Sequence, residues 1–291
     1  MLRGVAQLVA RTAGGREVAG SSPVTPTILL DMKIKALQWN IGGGYIREPE
    51  ADPALPSSYT RDGLPSMVAL LQEHQPDIIT LQETHESSAD TQAEVIAKSL
   101  GYDNWVNHTC ADSHVAPGYK LGQAIISRYP ITNQYFDLFS NPGLEVVHDG
   151  AVLESHDKGL TTCVVHLPQG VDLTVQTLQM FPLRKMGVEL GSAQARQILS
   201  PIQRVMLKRT GMPLLLQGDF NINKGLLAAD LPDLFEVPGT AEIPQETPTN
   251  TRGRAYDHII FAGLRPLGPC VVVEEVLTDH FPLITEFELD N

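Results

Sequence analysis

Apolar runs that stop abruptly at paired polar residues recur along this chain. "LLQGDFNIN" at 215–223 is one, and "ALQWNIGGG", "DIITLQETH", "AYDHIIF" and "VLTDHFPL" repeat the arrangement. Between them the pattern switches between the two-residue period of strands and the 3.6-residue period of helices. From Met32 onward, "KIKALQWNI" predicts a strand and "LPSMVALLQEHQ" an amphipathic helix, with Leu64, Met67, Leu70 and Leu71 at helical spacing. "PDIITLQE" predicts a buried strand opened by Pro76. "DTQAEVIAKSLGY" predicts a helix with Asp90 as its N-cap and Gly101 just past its end. "LGQAIISRYPI" is a strand, and "LTTCVVHLP" with "VDLTVQTLQM" forms a hairpin about Gln169-Gly170. The helical stretch 187–211 is expected to kink or split at Pro201. "MPLLLQGD", "AYDHIIF", "CVVVEEVL" and "PLITEFEL" supply the remaining strands. Strands outnumber helices and several are adjacent hairpins. That favours an α/β fold of two packed mixed β-sheets with helices outside over a doubly wound parallel sheet. The segment 42–63, rich in glycine and proline, is the best candidate for a flexible rim.

Residues 1–31 break the pattern. They hold clusters of Gly, Ser, Pro and Thr but no continuous apolar stretch of the kind a signal peptide needs. Gly20-Ser21-Ser22-Pro23 can be encoded by GGTTCGAGTCCC, the T-arm consensus of a transfer-RNA gene. We therefore expect residues 1–31 to be a non-native or disordered extension, Met32 to be the true start and 32–291 to form one catalytic domain. Arg3, Arg11 and Arg16 against Glu17 and Asp31 give the extension +1, which leaves the rest at −14 out of the chain's −13.

Composition narrows the function classes. A chain of 291 residues, 42% apolar and 19% charged, can bury a large core. Its acidity excludes bulk electrostatic attraction to nucleic acid, so an anionic substrate needs local positive charge or a bound cation. Cys110, Cys163 and Cys270 lie far apart with no metal-like or redox-like spacing, which reads as free thiols in a reducing compartment. No apolar run approaches the ~20 residues of a membrane span. A cytoplasmic location and a monomeric state are the default expectations.

The polar tips carry the chemistry. Residues two apart on an extended chain share a side, so Asp219 and Asn221 are expected to face together, and Glu83 to continue the row of Ile79 and Leu81. Carboxylates that converge without partners raise one another's pKa, and a hard cation such as Mg²⁺ or Mn²⁺ relieves that. Singly, each tip has a plainer reading. Asp219-Phe220-Asn221 could be an Asx-turn, Asn40 a turn residue before three glycines, Glu83 a solvated cap and Asp279-His280 a loop. Asp257 could pair with Arg254 on the surface, and His258 could be structural. Their joint occurrence, each at the edge of a β-run, favours a site.

As a set, "WN" at 39–40, "LQE" at 81–83, "QAIISRYPI" at 123–131, "GDFN" at 218–221, "YDHIIF" at 256–261 and "TDHFP" at 278–282 resemble the endonuclease/exonuclease/phosphatase superfamily, typified by deoxyribonuclease I. The resemblance implies a four-layer α/β sandwich and a Mg²⁺- or Mn²⁺-dependent hydrolase of phosphodiester or phosphomonoester bonds. The substrate is a phosphate ester, with nucleic acid as the default. It implies Glu83 as the principal metal ligand, with Asn40 supporting the metal or the substrate phosphate and Asp279 as a metal-linked or supporting carboxylate. Asp219 would activate water, Asn221 would bind a phosphate oxygen and His280 would act on the scissile phosphate. Asp257 would orient a histidine. One departure stands out: the family's usual histidine in the strand ending at "TLQM" aligns with Gln179, an amide that can bind a substrate phosphate oxygen but cannot carry a proton at neutral pH. Asp257 is then expected to lack its ring partner unless His258 or Arg254 substitutes. A catalytically weakened phosphate-binding module is the alternative. Arg184 is a candidate substrate contact, although a solvated loop is its plainer reading. Loops 42–63, 107–120, 140–158 and 237–251 carry any specificity, and none holds the basic and aromatic run of a nucleic-acid groove.

Overall fold

The alternation of apolar positions resolves into two β-sheets stacked face to face. The computed structural model describes residues 32–148, 151–208, 211 and 213–290; the expected extension at 1–31 lies outside them. In the first sheet the strands run in the order Leu264–Pro266, Leu283–Leu289, Lys33–Asn40, Ile78–Glu86, Lys120–Ser127 and Asn104–Asp112, with Val271–Val272 also on Leu283–Leu289. In the second the order is Ala241–Glu242, Asp257–Ala262, Leu214–Asp219, Val171–Gln179, Gly159–Leu167 and Ile131–Leu138.

Alternate residues of each strand serve different cores. Ile34, Ala36 and Ile78 meet Cys163, Val165, Val175 and Leu215 between the sheets. Their neighbours Leu37, Trp39, Ile79 and Leu81 pack outward against Met67, Leu71, Ala93 and Ile96 of helices Leu64–His74 and Gln92–Leu100. On the far side, Leu178, Leu216 and Ile260 pack against Ala195, Leu199, Ile202 and Met206 of helix Ala193–Lys208. The result is helix, sheet, sheet, helix, which is the four-layer sandwich expected. Towards the polar end of the strands the inter-sheet filling changes from aliphatic to amide and hydroxyl. Gln82 Nε2 donates to Thr177 Oγ1 at 2.8 Å, Thr80 Oγ1 to Gln217 Oε1 at 3.3 Å, and Gln123 Nε2 to Thr161 Oγ1 at 3.0 Å.

Local expectations needed adjustment. The Gln92–Leu100 helix is capped by Thr91, whose side chain accepts the Glu94 N–H, and not by Asp90, which takes the Ser87 hydroxyl instead. Pro201 does not split its helix, which runs unbroken from Ala193 to Lys208. "CVVVEEVL" pairs only at Val271–Val272, and residues 273–281 leave the sheet to carry the site. The rim at 42–63 is partly ordered by a ribbon pairing Tyr45–Arg47 with Tyr59–Asp62. Among the described residues, no helix is long and apolar enough to cross a membrane.

Candidate active site

Each sheet contains one parallel pair among its long strands, and the site lies where both pairs end. Lys33–Asn40 runs parallel to Ile78–Glu86 with Asn40 beside Gln82, and Val171–Gln179 runs parallel to Leu214–Asp219 with Gln179 beside Asp219. Carboxyl ends of parallel strands are where ligand crevices form in open α/β sheets. Asn40, Gln179 and Asp219 follow the inward parity of the inter-sheet residues on their strands and so point into the gap.

Glu83 does not follow parity. Ile79 and Leu81 face the helices, so simple alternation would send Glu83 there too. Instead the pairing with Lys120–Ser127 slips between Gln82 and Thr84, and Glu83 adopts φ +54°. This bulge turns its carboxylate inward. A left-handed glutamate is costly, of order 1–3 kcal/mol, and such strain gathers at functional sites.

The two carboxylates share two amide donors. Asn40 Nδ2 lies 3.1 Å from both Glu83 Oε1 and Asp219 Oδ2. Gln179 Nε2 lies 2.5 Å from Glu83 Oε1 and 3.2 Å from Asp219 Oδ2. Their environments push the acids apart. Burial would raise Glu83, but His114, Lys158 and the amide donors more than offset it and hold the group at about 2. Burial drives Asp219 up to about 6, against the pull of His280 and with the help of Asp257 and Glu83. One acid is thus firmly ionised and the other is placed near neutrality, the division of labour that acid–base chemistry needs.

Opposite them His280 Nδ1 meets Asp257 Oδ2 at 2.8 Å. Asp257 also accepts Thr249 Oγ1 at 2.5 Å and Gln38 Nε2 at 3.0 Å. A carboxylate only accepts, so Nδ1 carries a proton and Nε2 is left for a ligand. Burial alone would lower His280, but Asp257 with Asp219 and Asp279 raises it well above its usual value. The backbone of His280 is fixed as well, its carbonyl accepting Trp39 Nε1 at 3.1 Å and Thr278 Oγ1 at 2.7 Å. The expected orphaning of Asp257 is therefore wrong: its ring partner is His280, across the gap in sequence. His258 could not substitute, because neighbours on a strand face opposite sides. It turns outward to Glu242 Oε1 at 2.8 Å and the Ile222 carbonyl at 3.1 Å.

Other expected residues divide. Asn221 forms the Asx-turn, its N–H donating to Asp219 Oδ1 at 3.0 Å, while φ +52° takes it out of extended geometry and its amide donates to the Met180 carbonyl. It therefore does not lie on one strand face with Asp219, although it remains at the rim. Asp279, raised by burial and by Glu83 against the pull of His280, faces the same space. A Cβ on Gly42 would come within 3.3 Å of its Oδ1. Arg184 is not brought in; it makes an exposed ion pair with Glu189 at 3.7 Å. Thr249, Gln38 and the buried Lys158 were missed. None carries a local signal, since each is defined by contacts with residues far away in sequence.

The side chains able to ligate a cation here offer oxygen, the preference of Mg²⁺ or Mn²⁺. Among the described residues no group of three or more His, Cys, Asp or Glu side chains is arranged to hold a metal. Mg²⁺ commonly takes one or two carboxylates and completes its shell with water and substrate oxygen, so Glu83 and Asp279 fit such an ion. Asn40 turns Nδ2 to the carboxylates and gives Oδ1 to the Gly42 N–H at 3.1 Å, so it would ligate only after its amide turns over.

The Endonuclease/Exonuclease/phosphatase family model matches residues 37–280. The chain belongs to this family. Members hydrolyse phosphoester bonds, as nucleases and phosphatases. Solved structures share the fold at low identity. An endonuclease/exonuclease/phosphatase from Beutenbergia cavernae DSM 12333 is 19% identical over 89% of this chain and 72% of its own, with TM-score 0.64. The 3′ phosphatase NExo from Neisseria, a variant bound to product DNA hairpin, is 18% identical over 87% and 99%, with TM-score 0.53. A mannosyl-6-phosphatase from Bacteroides thetaiotaomicron VPI-5482 is 17% identical over 87% and 99%, with TM-score 0.50. No curated protein sequence matches.

Proposed function

We propose that this family member is a Mg²⁺- or Mn²⁺-dependent phosphoesterase acting on phosphodiester or phosphomonoester bonds, with nucleic acid the default substrate class. The observation that carries the reading is the convergence of Glu83 and Asp219 on the shared amides of Asn40 and Gln179, facing a His280–Asp257 pair. Two structural neighbours act on phosphate esters as different as DNA and a mannose phosphate, so the fold leaves the substrate open.

Glu83, Asn40 and Asp279 would hold the ion. When bound, it supplies charge neutralisation at the phosphate and the leaving oxygen. Asp219, on the shared amides of Asn40 and Gln179, would orient water and take its proton. His280, held protonated by Asp257, presents Nε2 to a phosphoryl oxygen and can release a proton to the departing group. Asn221 would contact substrate.

The test is hydrolysis of bis(p-nitrophenyl) phosphate by the chain started at Met32. Activity is expected with Mg²⁺ or Mn²⁺, lost with chelator and in Glu83→Ala. Wild-type protein that neither binds a divalent ion nor hydrolyses any ester in a panel of DNA, RNA, lipid and sugar phosphates defeats the proposal.

A further inference from the structure

Lys158 occupies an unusual place. It immediately precedes strand Gly159–Leu167 and is only 7% exposed, beside the carboxylate cluster. Its Nζ donates a short bond to Gln179 Oε1, and no ion pair to a carboxylate forms among the described residues. Withdrawing an ammonium from water costs several kcal/mol, which proteins normally offset with a carboxylate partner. Here a neutral amide oxygen is the direct partner. The charge still reaches the cluster, as one of the influences that hold Glu83 low against its burial.

Lys158 also sets the orientation of Gln179. An ammonium has only donors, so the amide must turn Oε1 towards it and Nε2 towards Glu83 and Asp219. The other cations near the site are poorer candidates for binding an anion: Arg184 is exposed and paired with Glu189, and Arg252 is exposed.

Building on the phosphoesterase reading, we infer that Lys158 is a phosphate-binding catalytic residue, whose Nζ takes a non-bridging oxygen of the substrate phosphoryl group and supplies the positive charge that Gln179 lacks. Substrate then gives the buried ammonium an anionic oxygen as direct partner, where among the described residues it has only the Gln179 amide oxygen. A bond between two ionised groups is stronger than the ammonium–amide contact it replaces or shares.

Inorganic phosphate is the probe, titrated calorimetrically into the chain in the presence of Mg²⁺. Mn²⁺ affinity and thermal melting are measured in parallel. Lys158→Met is expected to weaken phosphate binding by about tenfold or more while Mn²⁺ affinity stays within a few-fold, and Lys158→Arg to recover part of the loss. Unchanged phosphate affinity in Lys158→Met overturns the inference. So does a loss that merely tracks Mn²⁺ affinity, which would leave Lys158 acting only through Glu83. Should Lys158→Met not fold, Lys158→Gln decides: unchanged phosphate affinity with intact melting rejects the assignment. A wild type that binds phosphate yet hydrolyses no ester sinks the phosphoesterase proposal and with it the catalytic role of Lys158, leaving its phosphate binding to be judged from Lys158→Met. Active wild type with a phosphate affinity indifferent to Lys158 sinks this inference alone.

Discussion

His280 Nδ1 and Asp257 Oδ2 lie 2.8 Å apart, joining a loop after the last sheet crossing to a strand of the opposite sheet. Asp257→Asn keeps the shape but removes the charge that raises His280. Because Asp257 favours the protonated ring, its loss lowers the histidine pKa, and the high-pH limb of the kcat profile moves to lower pH. A drop in kcat of about 10²-fold or more accompanies it. A pH–rate profile indifferent to this substitution would separate Asp257 from catalysis.

Thr249→Val tests how the pair is held. Its hydroxyl donates to Asp257 Oδ2 at 2.5 Å and accepts the Tyr256 and Asp257 N–H groups. The loss leaves buried groups unpaired, at about 1–3 kcal/mol of stability. Denaturant unfolding should show this, with kcat falling more than KM rises.

Asp219→Asn should stabilise the metal-free protein while abolishing turnover. The folded-state pKa is raised from 3.8 to about 6, so the folded chain holds more protons than the unfolded chain between those values. Stability therefore falls as pH rises through this window, by up to about 3 kcal/mol at 1.4 kcal/mol per unit. The asparagine variant escapes that loss. Its melting temperature should exceed wild type at pH 8 without metal, and the gap should shrink at pH 4.

Mn²⁺ should raise the wild-type melting temperature in a concentration-dependent, chelator-reversible way. Glu83→Gln should remove most of that rise. An equal shift in both proteins would place the ion elsewhere.

Arg184→Ala is expected to leave kcat/KM within about twofold, as for other exposed surface pairs of small energetic weight. A large loss would restore Arg184 as a substrate contact.

Strand runs such as "MPLLLQGD" and "PDIITLQE" announced the sheets, because burial on both faces demands continuous apolar sequence. The identity of the polar tips was equally legible. What alternation could not give was the direction of Glu83, since one inserted residue reverses a side chain and nothing in "LQETH" marks the slip. Nor could it give the partner of Asp257, which lies 23 positions away at His280. Thr91 displaced Asp90 as a cap because either residue can serve and the turn at Ser87 claimed the aspartate. Lys158 looked like the end of a loop, and only the fold reveals that it is buried.

The hydrogen bonds from Gln38 to Asp257 and from Gln82 to Thr177 stitch one sheet to the other directly beneath the site. The groups proposed for catalysis are thus divided between two slabs whose spacing must stay fixed. Any slippage between the slabs, even with each slab intact, would misalign the reacting atoms. Hydrolysis should consequently fade at denaturant concentrations below those that melt the strands, making enzymatic rate an early gauge of loosening at the seam.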